Sequence, residues 1–222
     1  MTAMLCGSRI RRPGSEQGTA GCLINFSDSP QRVLLVTAAH VVVPRNAQQN
    51  DPIEAVDAPG APLGLLRTWS GFDGTTTVDA ALIWVDPARV SPKIAGLRKP
   101  PSGIAPIPAM NEELRLFSAD GATNTGKVTQ YPRTLNLWTS IWDSSFNYSG
   151  LIICEPAISA PGDSGAMVLD SQNRIVGMLV GGDERSRSFI TPIGAILSYR
   201  GWQGTANLLT AIPAGAKGPP FA

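Results

Sequence analysis

What most constrains this chain is the way glycine and proline divide it. With 23 glycines and 19 prolines in 222 residues, the apolar runs end at a turn-former before a long helix can develop. Runs at 18–24, 33–36, 65–69, 80–85, 114–117, 126–131, 135–138, 151–154, 166–169, 174–180 and 188–193 are short, and each carries β-branched or aromatic residues. Each is bounded by turn residues, so each reads as a strand. Many short strands at regular spacing predict an all-β barrel or sandwich. The length is enough to bury a substantial core.

Between two of these runs stands Pro161-Gly162-Asp163-Ser164-Gly165. Read alone it is an ordinary turn. It would also suit a nucleophile: glycine lets the backbone turn sharply, so the N–H groups of Gly162 and Ser164 can point into one space as an oxyanion hole. A serine hydroxyl needs a base to attack at neutral pH. The chain has one histidine, His40, delivered at the end of Val33-Leu34-Leu35-Val36-Thr37-Ala38-Ala39-His40. Two small residues before it leave room for a substrate and a serine. A carboxylate that orients the imidazole would complete the set. Asp79 opens Asp79-Ala80-Ala81-Leu82-Ile83-Trp84-Val85 at the mouth of an apolar run. Asp73 lies in a glycine-rich turn and Asp86 precedes Pro87, both common solvated positions, so Asp79 is the preferred carboxylate and the other two are its alternatives.

Thr37-Ala38-Ala39-His40, Asp79-Ala80-Ala81-Leu82 and Gly162-Asp163-Ser164-Gly165, in that order, resemble the trypsin/chymotrypsin family of serine peptidases. Residues 121–128 and 189–193 are similar to a glycine-threonine hairpin and a closing strand of its bacterial and intracellular branches. The resemblance covers roughly residues 18–200. It implies two six-stranded antiparallel β-barrels with the site in the cleft between them, His40 and Asp79 from the first and Ser164 from the second. It also implies roles: His40 as general base then acid, Asp79 as orienter, Ser164 as nucleophile. Asp163 occupies the place of the acid that pairs with a freed N-terminus in secreted zymogens. Nothing in residues 1–20 resembles the start that such activation exposes, so Asp163 needs another donor, because a buried unpaired carboxylate costs several kcal/mol.

Proline and glycine accumulate over 92–108, which suggests an inter-barrel linker. The expected organisation is 1–98 for the first barrel, 99–111 for the linker, 112–200 for the second barrel and 201–222 for a C-terminal tail. A short terminal helix is expected within 196–209 and disorder over 213–222. Trp138 and Trp142 read as core or cleft-wall aromatics.

A formal net charge of +1 gives no electrostatic footprint for nucleic acid or an anionic membrane. Arg9, Arg11 and Arg12 form the only basic cluster and read as a solvated face. No run is long enough for a membrane span, and 1–6 is too short for a signal peptide, so the sequence reads as cytoplasmic. Cys6, Cys22 and Cys154 are odd in number and widely spaced, and read as free, buried thiols. One histidine leaves no ligand set for zinc; neither metal nor organic cofactor is expected.

The function expected is a serine endopeptidase acting on a protein or peptide substrate through an acyl-enzyme. The alternatives are a catalytically silent peptide-binding module on the same fold and a protease that cuts its own chain. In the resembling family the residue six before the nucleophile floors the primary pocket, which is Ile158 here. With Ser159, Val180, Gly181, Gly182, Ser188 and Ile190 it would form a shallow apolar pocket for a small or medium apolar residue. Asp183 and Glu184 could recruit a basic residue instead if their loop folds inward. A glutamate preference is not expected, since no second imidazole exists to receive an acid. Oligomeric state is left open.

Overall fold

The computed structural model describes residues 3–71, 75–76, 78–139, 144–183 and 186–220. Asp73, Trp142, Glu184 and the side chain of Trp138 lie outside the described residues. The first half holds β1 (Met4–Cys6), β2 (Arg9–Arg11), β3 (Gln17–Thr19), β4 (Leu23–Phe26), β5 (Ser29–Thr37), α1 (Ala39–Val42), β6 (Pro52–Ala55), β7 (Pro62–Trp69), β8 (Thr75–Thr76), β9 (Ala81–Val85) and β10 (Val90–Ile94). The second holds β11 (Gly103–Ile104), β12 (Glu113–Phe117), β13 (Thr123–Thr139), β14 (Ser144–Glu155), β15 (Met167–Leu169), β16 (Arg174–Asp183), β17 (Arg187–Pro192), α2 (Ile193–Leu197) and β18 (Ala206–Leu208).

Two six-stranded barrels result. In the first, the sheet runs β4-β5-β9-β7-β6-β2-β3. Since β3 and β4 are the two ends of one continuous run, residues 17–26, pairing with β2 at one end and β5 at the other closes the barrel. In the second, β15-β12-β13-β14-β17 continue to β16, which returns to β15 and closes the ring. Apart from the parallel pairings of β1 with β10, β11 with β16 and β8 with β14, the named pairings are antiparallel. Antiparallel closure satisfies the backbone and leaves few exposed edges. Leu114, Leu116, Val128, Ile152, Val168 and Leu179 fill the second barrel's interior. Ile10, Leu23, Leu35, Ile53, Leu66 and Ile83 belong to a larger cluster centred on the first.

Three expectations of chain organisation change. Residues 126–131 and 135–138 are parts of one long strand, β13, paired with β14. Pro132 falls where the ladder skips between Gln130 and Arg133, a bulge that tolerates the missing N–H. The start of the proline- and glycine-rich stretch 92–108 is strand, since β10 (Val90–Ile94) pairs with β1. The terminal helix is α2, earlier and shorter than expected, and the described part of the expected tail, residues 201–220, then straps the first barrel.

That strap is held by recognisable bonds. β18 pairs with β4, the Lys217 N–H donates to the Gln31 carbonyl oxygen, and Trp84 Nε1–H donates to the Lys217 carbonyl oxygen. Leu208, Leu209, Ile212 and Ala216 pack against the core beneath. Deleting everything after Gly204 is therefore expected to cost about 2–4 kcal/mol, from lost strand bonds and exposed apolar surface. Urea unfolding of the truncated and full chains measures it; an unchanged midpoint would show that the strap contributes nothing.

Candidate active site

His40 and Asp79 meet because of strand register. β5 and β9 are antiparallel with Thr37 opposite Ala81, so the residues just past Thr37 and just before Ala81 leave the sheet side by side. The Asp79 carbonyl oxygen accepts the Ala39 N–H at 3.4 Å. Its carboxylate takes the next two donors: Oδ1 accepts the His40 backbone N–H at 3.0 Å and Oδ2 lies 2.5 Å from His40 Nδ1. Asp79 is fully buried, and a buried carboxylate persists only when its lone pairs are satisfied. Donating Nδ1–H to Asp79 leaves the Nε2 lone pair available as a base.

A third donor comes from the other barrel. The Tyr148 hydroxyl donates to Asp79 Oδ2 at 3.3 Å. The loop before Asp79 is stitched to the same strand, since β8 pairs with β14 through Thr76 and Tyr148. Burial, then the charge and hydrogen bond of Asp79, push the Tyr148 phenol far above its ordinary value, so it stays a donor. No sequence signal marks Tyr148, which is 69 positions from Asp79. Asp86 stands elsewhere, capping the turn after β9 by accepting the Ala88 N–H.

The Ser164 loop is a folded-back turn with two glycines in the left-handed region, Gly162 at φ +91° and Gly165 at φ +98°. The Asp163 N–H donates to the Ala160 carbonyl oxygen and the Gly165 N–H to that of Leu179. Among the described residues, the N–H groups of Gly162 and Ser164 donate to nothing, as an oxyanion hole requires. Asp163 is buried and finds the donors that the sequence left unnamed: the Ser118 hydroxyl at 2.8 Å and the Ala160 N–H at 2.9 Å, both on Oδ2. Its Oδ1 has no partner among the described residues.

Thr19 fastens this loop to the first barrel. Its N–H donates to the Ser164 carbonyl oxygen at 2.8 Å, and its hydroxyl donates to the Gly162 carbonyl oxygen, also at 2.8 Å. The Thr37 hydroxyl donates to the Thr19 carbonyl oxygen. Gly165 lies so close to Thr37 and Ala38 that a Cβ there would strike the Thr19 carbonyl and the Thr37 hydroxyl. Ser164 is thus held beside the turn that carries His40. Among the described residues, Ser164 Oγ makes no hydrogen bond.

The expected pocket is corrected. Ile158 and Ile190 are both fully buried in the core of the second barrel and form no floor; strand alternation turns Ile190 of β17 inward, and the loop after β14 buries Ile158, whose N–H donates to Ser188 Oγ at 2.9 Å. Beside Ser164 a cleft pocket of about 570 Å³ is lined by Ala157, Ser159, Ala160, Leu179, Gly181 and Gly182 together with the loop, Asp183 and Arg187. Of the other expected lining residues, Val180 faces away into the core. Ser188 supports the pocket from behind, 2.8 Å from Ser159 Oγ. Asp183 does reach the wall, but Arg187 pairs with its carboxylate.

All three cysteines are free and buried. Among the described residues no group of three or more His, Cys, Asp or Glu side chains is placed to hold a metal ion, and no helix is long and apolar enough to cross a membrane.

Neither a protein-family model nor a curated protein sequence matches this chain. Solved structures do match. Thermobifida fusca Protease A is 18% identical with a TM-score of 0.69, covering 95% of this chain and 100% of that one. The Cellulomonas bogoriensis chymotrypsin is 17% identical with a TM-score of 0.68, over 95% of this chain and 100% of that one. A glutamic acid specific serine protease, described as using a histidine triad in substrate binding, is 17% identical with a TM-score of 0.69, over 93% and 100%. At such identities the likeness establishes the fold, the chymotrypsin-like double barrel.

Burial pulls the His40 pKa down, but the charge of Asp79, its hydrogen bond and the charge of Glu16 outweigh it, so the imidazole titrates above its ordinary 6.5. A raised folded pKa means that protonated His40 adds stability fully present below about 6.5 and lost as pH rises through the folded value. Because His40 is the single histidine, one imidazole resonance reports it. NMR titration is expected to give a midpoint above that of a free imidazole, moving down in Asp79→Asn. An unmoved midpoint in that variant would remove Asp79 as the source of the shift.

Proposed function

We propose that this chain, with the double barrel of bacterial chymotrypsin-like serine proteases, is a serine endopeptidase in which Ser164 attacks the scissile carbonyl. His40 Nε2 takes the serine proton and returns it to the leaving amine. Asp79 holds the imidazole in the required tautomer and stabilises its charged form. The N–H groups of Gly162 and Ser164 receive the oxyanion. The carrying observation is the buried Asp79 carboxylate bonded to the backbone N–H and the ring Nδ1 of His40, beside a serine loop in which the Gly162 and Ser164 N–H groups have no acceptor among the described residues. It favours a working enzyme over a silent binding module, because a peptide-binding groove has no need of a buried charge that fixes one imidazole tautomer.

The bond cut follows an uncharged residue of small or medium size. Ala157, Ala160 and Leu179 give the pocket apolar walls, Gly181 leaves its entrance open, and the Ser159 hydroxyl stands within. A charged side chain would meet an Asp183 carboxylate already paired with Arg187, and would lose hydration without gaining an unpaired partner. The glutamic acid specific neighbour uses a histidine triad in substrate binding, which a chain with one histidine cannot assemble.

Labelling with a fluorophosphonate probe is expected to modify the parent protein at Ser164 and to be abolished in Ser164→Ala. Peptidase turnover should fall by about 10⁴ to 10⁶ in that variant with the fold intact. Peptide hydrolysis retained at the parent rate in Ser164→Ala would refute the mechanism.

The pocket makes a second demand. Arg187→Ala leaves the Asp183 carboxylate without that cation, so kcat/KM for Lys or Arg before the cut should rise roughly tenfold relative to Ala. A peptide-library profile unchanged by Arg187→Ala would place that pair outside the specificity pocket.

A further inference from the structure

The basic cluster near the start of the chain is divided by the fold. Arg11 Nε pairs with Glu54 Oε1 at 2.8 Å and Arg12 Nε with Asp51 Oδ2 at 3.1 Å. Arg9, on the same strand and opposite Thr19, has no acidic or hydrogen-bonding partner for its guanidinium among the described residues. Its Nη1 instead fills the space that a Cβ at Gly162 would occupy. A half-buried guanidinium is thereby pressed against an oxyanion-hole glycine with its donors unused.

Arg9 stands outside the primary pocket, whose lining comes entirely from residues 157–187. It lies on the first-barrel wall, which also carries His40 and, on the same hairpin as Arg9, Glu16, whose charge reaches His40. In acyl transfer the imidazole returns its proton to the leaving amine, so the leaving segment passes His40 and must cross this wall. A guanidinium presents a planar fork of donors that matches a carboxylate. Resting on the serine endopeptidase reading above, we propose that Arg9 is a specificity-determining residue for the leaving side, binding the carboxylate of an acidic side chain within the first two residues after the scissile bond.

The test uses peptide pairs identical except for Glu or Gln at the first or the second position after the cut, with fluorophosphonate labelling run on the same protein samples. For at least one of the two positions, kcat/KM in the parent is expected to favour Glu by about fivefold, the scale of a partly exposed ion pair. The preference should shrink toward unity in about 1 M salt, vanish in Arg9→Gln, and persist in part in Arg9→Lys. Ser164 labelled but no Glu preference at either position overturns the role of Arg9 and leaves the peptidase reading standing. Equal loss on both members of a pair in Arg9→Gln, with the preference kept, assigns Arg9 a structural role and also overturns it. Absence of labelling at Ser164 overturns the peptidase reading and this inference with it. The salt series on the parent protein needs no variant, so a misfolded Arg9→Gln does not spare the proposal.

Discussion

The candidate site depends first on Thr19. One residue of the first barrel uses its N–H, its hydroxyl and its carbonyl oxygen to bind the Ser164 loop and the strand end that leads to His40. Thr19 is fully buried, so each of these bonds forms out of water and an unmade one would cost about 1–3 kcal/mol. Two barrels that merely touched could slide; two barrels sharing a desolvated hydrogen-bond node cannot do so cheaply. Gly165 permits the approach, since any side chain there would strike both threonines.

Asp79 is the second constraint, and it works in the opposite sense. Burying a carboxylate is unfavourable, and the cost falls only because donors converge on it from His40 and Tyr148. Those donors come from both barrels, so the same desolvated charge that fixes the imidazole also ties β14 to the first barrel. Asp163 repeats the device on the serine loop, with the Ser118 hydroxyl and its own turn's Ala160 N–H in place of a free amino terminus. The pairing of the Asp79 carboxylate with the His40 imidazole is thus fixed by the fold itself, which is the preorganisation that the proposed acyl transfer would need.

Charge at the cleft is divided rather than absent. On the second barrel Asp183 and Arg187 neutralise each other at the pocket wall. On the first, Glu16 acts on His40 and Arg9 rests on Gly162. A chain with a net charge near zero can still present unlike charges at separate points along one cleft, and net charge alone does not reveal them.

By itself the sequence determined most of the barrel strands, the turn at Gly162 and Gly165, and the three chemically apt residues, but not β2 and β6, which complete the first barrel. Strand period, glycine spacing and the apolar run before His40 are local properties that survive without a tertiary structure. Register decided the rest. Ile158 and Ile190 have the composition of a pocket floor, but the strand phase of Ile190 and the path of the loop that carries Ile158 turn both into the core, and neither is visible in a list of residue types. Tyr148, Thr19 and Ser118 acquire their roles from contacts across long stretches of chain, and the strap over 206–217 looked like a tail because glycine and proline mark both free ends and tightly bound loops. The sequence carried the chemistry that could occur; packing decided which groups lose water, and therefore which of them can hold a charge in place.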